Sequence, residues 1–148
     1  MILTPVDKNS SDFDLVVMLD TYIFTPPWTK KQWIQEIYNE SNRLYLATTS
    51  LEDGVPMGFL SFGIAGEAIE LKKIGVATEF RARGIGSQML DFLIKEAKRL
   101  EVDNILGEVA ITNKPALKLY KKFAFHKISV RKRYYAGLID AIVLQKEI

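Results

Sequence analysis

Apolar positions in residues 11–24 (SDFDLVVMLDTYIF) recur at helical spacing, with Ser or Asp available as the cap, and predict a first helix. Thr25-Pro26-Pro27 breaks it, and Thr29 can cap a second helix that runs through Glu40. Residues 1–6 read as a short edge strand, where Pro5 is tolerated. Two strand-like runs, residues 43–50 and 57–64, flank Glu52-Asp53-Gly54 and predict a hairpin. A turn at Gly66 leads into a strand over residues 69–77 (IELKKIGVA). Met89, Leu90, Leu93, Ala97 and Leu100 then mark a helix over residues 87–100. Residues 104–111 predict a strand, and Asn113-Lys114-Pro115 opens a helix with proline near its first turn. Residues 126–131 and 140–147 close the chain as a strand pair. The predicted order is β-α-α-β-β-β-α-β-α-β-β. That is an α/β (α+β) fold, a mixed sheet with helices packed on it, and not a doubly wound nucleotide fold.

Composition adds limits. The chain has 148 residues, 48% hydrophobic and 26% charged, without linker, repeat or low-complexity segment, so one domain over residues 1–148 is expected. No apolar run approaches the roughly 20 residues that span a bilayer, and the N-terminus lacks a secretory pattern. The expectation is a cytoplasmic protein with no membrane partner. With no cysteine there is no disulfide, thiol nucleophile or thiolate metal site. The single histidine, His126, rules out a His-rich metal cluster, and its place before a strand suits a structural or surface role. No metal is expected. A net charge of +2 gives no argument for nucleic acid. Arg131-Lys132-Arg133 before Tyr134-Tyr135 reads as a solvated hairpin rather than a stacking surface. Chemistry is left to carboxylates, tyrosines and backbone dipoles.

The sharpest local signal is Arg81-Ala82-Arg83-Gly84-Ile85-Gly86, between a strand and a helix. Glycines let the chain turn and a ligand approach bare N–H groups. The following helix N-terminus favours an anion. Cations are unfavourable there unless something negative lies between, yet the helix has no acid until Asp91. A phosphate would resolve the conflict; a plain glycine-rich turn is the competing reading, and these six residues alone do not decide. The spacing is neither the dinucleotide fingerprint nor a P-loop. Glu108 lies in an apolar strand on one face with Leu106 and Ala110, either with a task or reaching water at the open end. Tyr120 shares a helix face with Ala116 and Leu117, where core packing with the hydroxyl at the rim is the simpler reading. Asn113 before Pro115 is most simply a cap.

Taken together, R-x-x-G-x-G before a helix, a strand glutamate and N-x-x-A-x-x-x-Y resemble the GCN5-related N-acetyltransferases. Within them the chain is most similar to the ribosomal-protein alanine N-acetyltransferase group. The likeness runs through Pro27-Trp28, Ile74-Gly75-Val76, the glycine loop, Glu108-Val109, Asn113 to Tyr120, Tyr134-Tyr135 and Asp140-Ala141-Ile142-Val143. It implies a mixed, mostly antiparallel central sheet and an acetyl-CoA co-substrate. By position, backbone groups of Ile74, Gly75 and Val76 would pair with the pantetheine arm. Ala82, Arg83, Gly84, Ile85, Gly86 and Ser87 would cradle the pyrophosphate, Arg81 and Arg83 would add charge, and Asn113 would bond the pantetheine region. Glu108 would be the general base, through water, and Tyr120 the general acid toward the departing thiolate.

The implied reaction is direct acetyl transfer to a protein N-terminal amine, with a ribosomal protein as favoured acceptor. Such an amine, with a pKa of about 8, is easier to deprotonate than a lysine near 10.4. Two other readings stand beside it: acetylation of a small amine such as a polyamine or antibiotic, and a non-catalytic acyl-CoA-binding module. Trp28 reads equally as core or as part of a peptide groove; Tyr134 and Tyr135 are read as acceptor contacts. Two positions depart from the group. Ala110 stands where arginine is frequent. Ala124 stands where glycine usually ends the helix, and because alanine in a left-handed cap costs about 1 kcal/mol, a different helix end is expected.

Overall fold

A computed structural model describes residues 1–50, 52 and 54–148. Asp53 of the expected Glu52-Asp53-Gly54 turn therefore lies outside the described residues, as does Leu51. The elements follow the predicted order: β1 (Ile2–Pro5), α1 (Asp12–Ile23), α2 (Lys30–Tyr38), β2 (Asn42–Thr48), β3 (Pro56–Ala65), β4 (Ala68–Val76), α3 (Ile85–Arg99), β5 (Asn104–Ala110), α4 (Lys114–Lys122), β6 (His126–Tyr135) and β7 (Ile139–Glu147). One addition is a 3₁₀ turn, Thr78–Phe80, after β4. The strands form a seven-stranded sheet in the order β1-β2-β3-β4-β5-β7-β6. The β4–β5 ladder is parallel, whereas β1–β2, β2–β3, β5–β7 and β6–β7 are antiparallel. The sheet is thus mostly antiparallel, as the family likeness implied.

By internal contacts the chain divides into two compact units. The first comprises Met1–Gly63 with Lys73–Met89, and the second Ile64–Lys72 with Leu90–Ile148. In the first, Val6, Val16, Leu19, Trp33, Leu44, Leu46, Phe59 and Ala77 form a buried cluster, with Phe24, Trp28 and Phe80 packed against it. The α2 entry follows its sequence signal: Thr29 accepts from the Gln32 N–H while the Gln32 side chain accepts from the Thr29 N–H, a reciprocal capping box. In the second unit, alternation along β5 buries Ile105, Gly107 and Val109 and turns Leu106, Glu108 and Ala110 to the half-buried face.

Two expectations are corrected. Ala124 does adopt the left-handed conformation, at φ +63°. The Ala124 N–H donates to the Lys121 carbonyl and the Phe125 N–H to the Tyr120 carbonyl, each at 3.0 Å. The Phe125 ring meets the Tyr120 ring edge-on at 5.3 Å. This is the Schellman arrangement with its usual apolar contact, and together these outweigh the strain on the alanine Cβ. Helix α3 ends the same way on Glu101, at φ +56°, with Glu101 and Val102 donating to Lys98 and Ala97. The second correction concerns the extent of the last hairpin, whose basic run is exposed as expected. Strand β6 continues to Tyr135, which registers with Ile139, so Arg131-Lys132-Arg133 lies in the strand and the turn falls on Ala136 and Gly137.

Candidate functional site

In the first unit, β4 carries Ile74, Gly75 and Val76 beyond its parallel ladder, whose register ends at Leu71↔Gly107. Their positions are fixed tightly on one side. A Cβ on Gly58 would stand 2.3 Å from the Gly75 carbonyl oxygen, and one on Gly75 would stand 2.9 Å from the Phe24 ring. Glycine at 58 allows backbone to approach backbone, and glycine at 75 leaves room for the Phe24 ring. The next carbonyl, that of Val76, accepts from the Arg81 Nε at 3.0 Å.

The glycine loop follows. Ala82 (φ +59°) and Gly84 (φ +81°) are both left-handed, so the chain doubles sharply into α3. The helix begins at Ile85, two residues ahead of the sequence reading, because the Gly84 carbonyl already accepts from the Gln88 N–H at 3.0 Å. Ile85, Gly86 and Ser87 therefore form its first turn, where backbone N–H groups have no acceptor in the helix. That turn holds no acidic residue, while Lys98 and Arg99 occupy the last turn. The Arg83 guanidinium lies 5.6 Å from the Phe80 ring centre. This end of the helix is arranged for an anion.

Trp28, half-buried, belongs to a cluster that the sequence reading missed. Its N–H donates to Asp20 Oδ2 at 2.9 Å, and the Trp33 Nε1 donates to the same oxygen at 2.8 Å. Asp20 Oδ1 is ion-paired with Lys73 Nζ at 2.6 Å. The ammonium lies 4.3 Å from the Phe24 ring centre and 4.8 Å from that of Trp28. Burial lowers the Lys73 pKa, with Asp20 working against the shift. The available signal was a charged residue at an apolar-face position on each of two elements. Asp20 follows the buried Val16 by one helical turn, and Lys73 alternates with the buried Leu71 and Gly75.

In the second unit, Glu108 registers with Val143 on β7. Its Oε1 lies 3.1 Å from the Arg131 Nε, so a residue read as a solvated cation holds the candidate carboxylate. The pKa of Tyr134 is raised by burial first and then by the same carboxylate. Burial together with the charge of Glu108 pushes Tyr135 up to about 12. The two tyrosine rings meet edge-on at 5.1 Å, and the Arg131 guanidinium lies over Tyr134 at 5.3 Å. Tyr120, buried on α4, is raised well above an ordinary phenol by desolvation, with Tyr135 adding to the shift. Glu108 thus acts on Tyr134 and Tyr135, and Tyr135 on Tyr120, and all three phenols hold their protons at neutral pH. Asn113 caps α4, its side-chain oxygen accepting from the Ala116 N–H at 3.3 Å. His126 is exposed at the start of β6.

No helix among the described residues is long and apolar enough to cross a membrane. The chain is 28% identical over 124 residues to a Bacillus subtilis protein provisionally named ribosomal protein bS18-alanine N-acetyltransferase, covering 84% of this chain and 81% of that protein. It is 27% identical over 121 residues to the Escherichia coli protein of that name, covering 80% and 79%. The crystal structure of the ribosomal-protein-S18-alanine N-acetyltransferase from Escherichia coli superposes with a TM-score of 0.87 at 23% identity, over 99% of this chain and 94% of that one. Arabidopsis thaliana NAA60 in complex with acetyl-CoA gives 0.86 at 17% identity, over 99% and 98%. At these identities the two structures establish the fold. The sequence of residues 14–125 matches the Acetyltransferase (GNAT) family, and this chain, an N-acetyltransferase, belongs to it.

Proposed function

We propose that this protein transfers the acetyl group of acetyl-CoA directly to the α-amino group at a protein N-terminus, with a ribosomal protein as the favoured acceptor and the cytoplasm as its place of action. The observation that carries the reading is Glu108, a carboxylate held by Arg131 among protonated tyrosines. An α-amino group has a pKa of about 8 and must lose a proton before it can attack a thioester. Glu108 accepts that proton through water. Tyr120 faces the opposite task, supplying a proton to the sulfur as the C–S bond breaks. Its raised pKa keeps the proton in place until then. Because an ordinary thiol titrates near 8.5, full transfer from such a phenol is uphill by more than about 2 kcal/mol. Its help therefore begins as a hydrogen bond to the developing thiolate.

The residues that would hold acetyl-CoA fit its chemistry. Backbone groups of Ile74, Gly75 and Val76 extend past the β4–β5 ladder and can pair with an amide-bearing arm. The turn through Ala82, Arg83, Gly84, Ile85, Gly86 and Ser87 suits a pyrophosphate, with Arg81 and Arg83 adding positive charge. Asn113 uses its oxygen as a cap and keeps its amide NH₂ for the pantetheine arm. Tyr134, Tyr135 and Trp28 supply aromatic bodies with polar groups for the acceptor peptide. The names of the relatives from Bacillus subtilis and Escherichia coli support a protein acceptor. A CoA-release assay comparing a peptide that begins with alanine against polyamine and antibiotic amines tests the choice. A higher kcat/KM for the peptide is expected; preference for a small amine would overturn it.

A further inference from the structure

We propose that the buried Asp20–Lys73 pair is a positioning device that sets Trp28 for the acceptor, an inference that rests on the reading of Trp28 as an acceptor contact. Asp20 is fully buried, yet a buried ion pair is seldom the most stable way to fill such a space. Replacing a buried ion pair by apolar residues of similar volume is often neutral or stabilising. What apolar residues could not do is accept two N–H donors at once, from Trp28 in the α1–α2 connection and from Trp33 on α2. Lys73 neutralises the second carboxylate oxygen and lies under the Phe24 and Trp28 rings. The Trp28 ring also rests on Trp33, with centroids 4.7 Å apart. Backbone and ring face of Trp28 are thus tied to one carboxylate–ammonium unit, and Lys73 directly precedes Ile74 on β4.

The test combines steady-state kinetics on an alanine-initiated peptide with hydrogen exchange at the Trp28 amide and the Trp33 indole N–H. Asp20→Leu with Lys73→Met removes the shared acceptor while leaving an apolar pair. It is expected to raise the peptide KM about tenfold, the size of one lost hydrogen bond, to leave the acetyl-CoA KM unchanged and to speed exchange at both N–H groups. Asp20→Asn with Lys73→Met keeps an oxygen acceptor and is expected to restore the wild-type peptide KM. Should the Leu/Met chain not fold, Asp20→Ala with Lys73→Ala, which removes the same acceptor with less bulk, carries the test, with a raised peptide KM expected and an unchanged one overturning the inference. An unchanged peptide KM in the Leu/Met chain, where Trp28→Ala raises it, overturns the positioning role and leaves the reading of Trp28 intact. An unchanged peptide KM in Trp28→Ala removes the acceptor role of Trp28 itself, and the inference with it.

Discussion

Replacing the exposed Ala124 by glycine should stabilise the protein, although it removes a methyl group. At φ +63° the alanine Cβ crowds the backbone, a strain of about 1–2 kcal/mol for an L-residue in this region. Glycine relieves the strain but has more freedom in the unfolded chain, which takes back about 0.4–1 kcal/mol. The two 3.0 Å hydrogen bonds that close α4 and the Tyr120–Phe125 ring contact are unaffected. A net gain of about 0.5–1 kcal/mol remains, or roughly 1–4 °C in Tm for a chain of this size. Glu101→Gly repeats the experiment at the end of α3, where φ is +56° and the same pair of bonds is present. Urea unfolding with an unchanged m-value is the assay. If both substitutions leave stability unchanged or lower it, the left-handed strain assigned to these helix ends is wrong.

Gly58→Ala should do the opposite, because its Cβ would meet the Gly75 carbonyl oxygen at 2.3 Å. A loss of about 1–3 kcal/mol is expected in urea melts, with a raised KM for acetyl-CoA as the strand at Gly75 shifts. Gly84→Val forces a branched side chain to φ +81° in the proposed pyrophosphate turn. It should raise the KM for acetyl-CoA while leaving the peptide KM unchanged. Tyr120 and Tyr135 hold their protons above the ordinary phenol value of about 10 shown by an unfolded chain. Their contribution to stability is complete below pH 10 and is lost as pH rises toward the folded values, about 12 for Tyr135. Chemical denaturation across that range, compared with Tyr120→Phe/Tyr135→Phe, should show a shallower alkaline loss in the variant.

The order of elements is legible in the sequence because periodicity and turn residues are local properties. Thr29 and Asn113 act as the caps their positions suggested, since a cap needs only its own next few residues. Ala124 shows where local rules fail. A propensity argument disfavours the left-handed alanine, but two hydrogen bonds and a ring contact decide the conformation. The role of Arg131 was hidden for another reason. A basic run at a hairpin looks solvated until β6, β7 and β5 are laid side by side, which brings Arg131 to Glu108. Asp20 and Lys73 are far apart in the chain, and each looks like an isolated anomaly on an apolar face until the fold joins them. Glu108 and Tyr120 are candidates by family likeness alone, whereas the effect of Glu108 on Tyr134 and Tyr135 required the fold.

The most direct test of the proposed chemistry is kcat for Glu108→Gln and Tyr120→Phe on an alanine-initiated peptide at saturating acetyl-CoA. Each substitution preserves shape and removes one proton-handling group. Each substitution is expected to lower kcat by about 10²- to 10⁴-fold, with binding of acetyl-CoA retained. Wild-type kcat in both variants, with acetyl-CoA still bound, would contradict that chemistry.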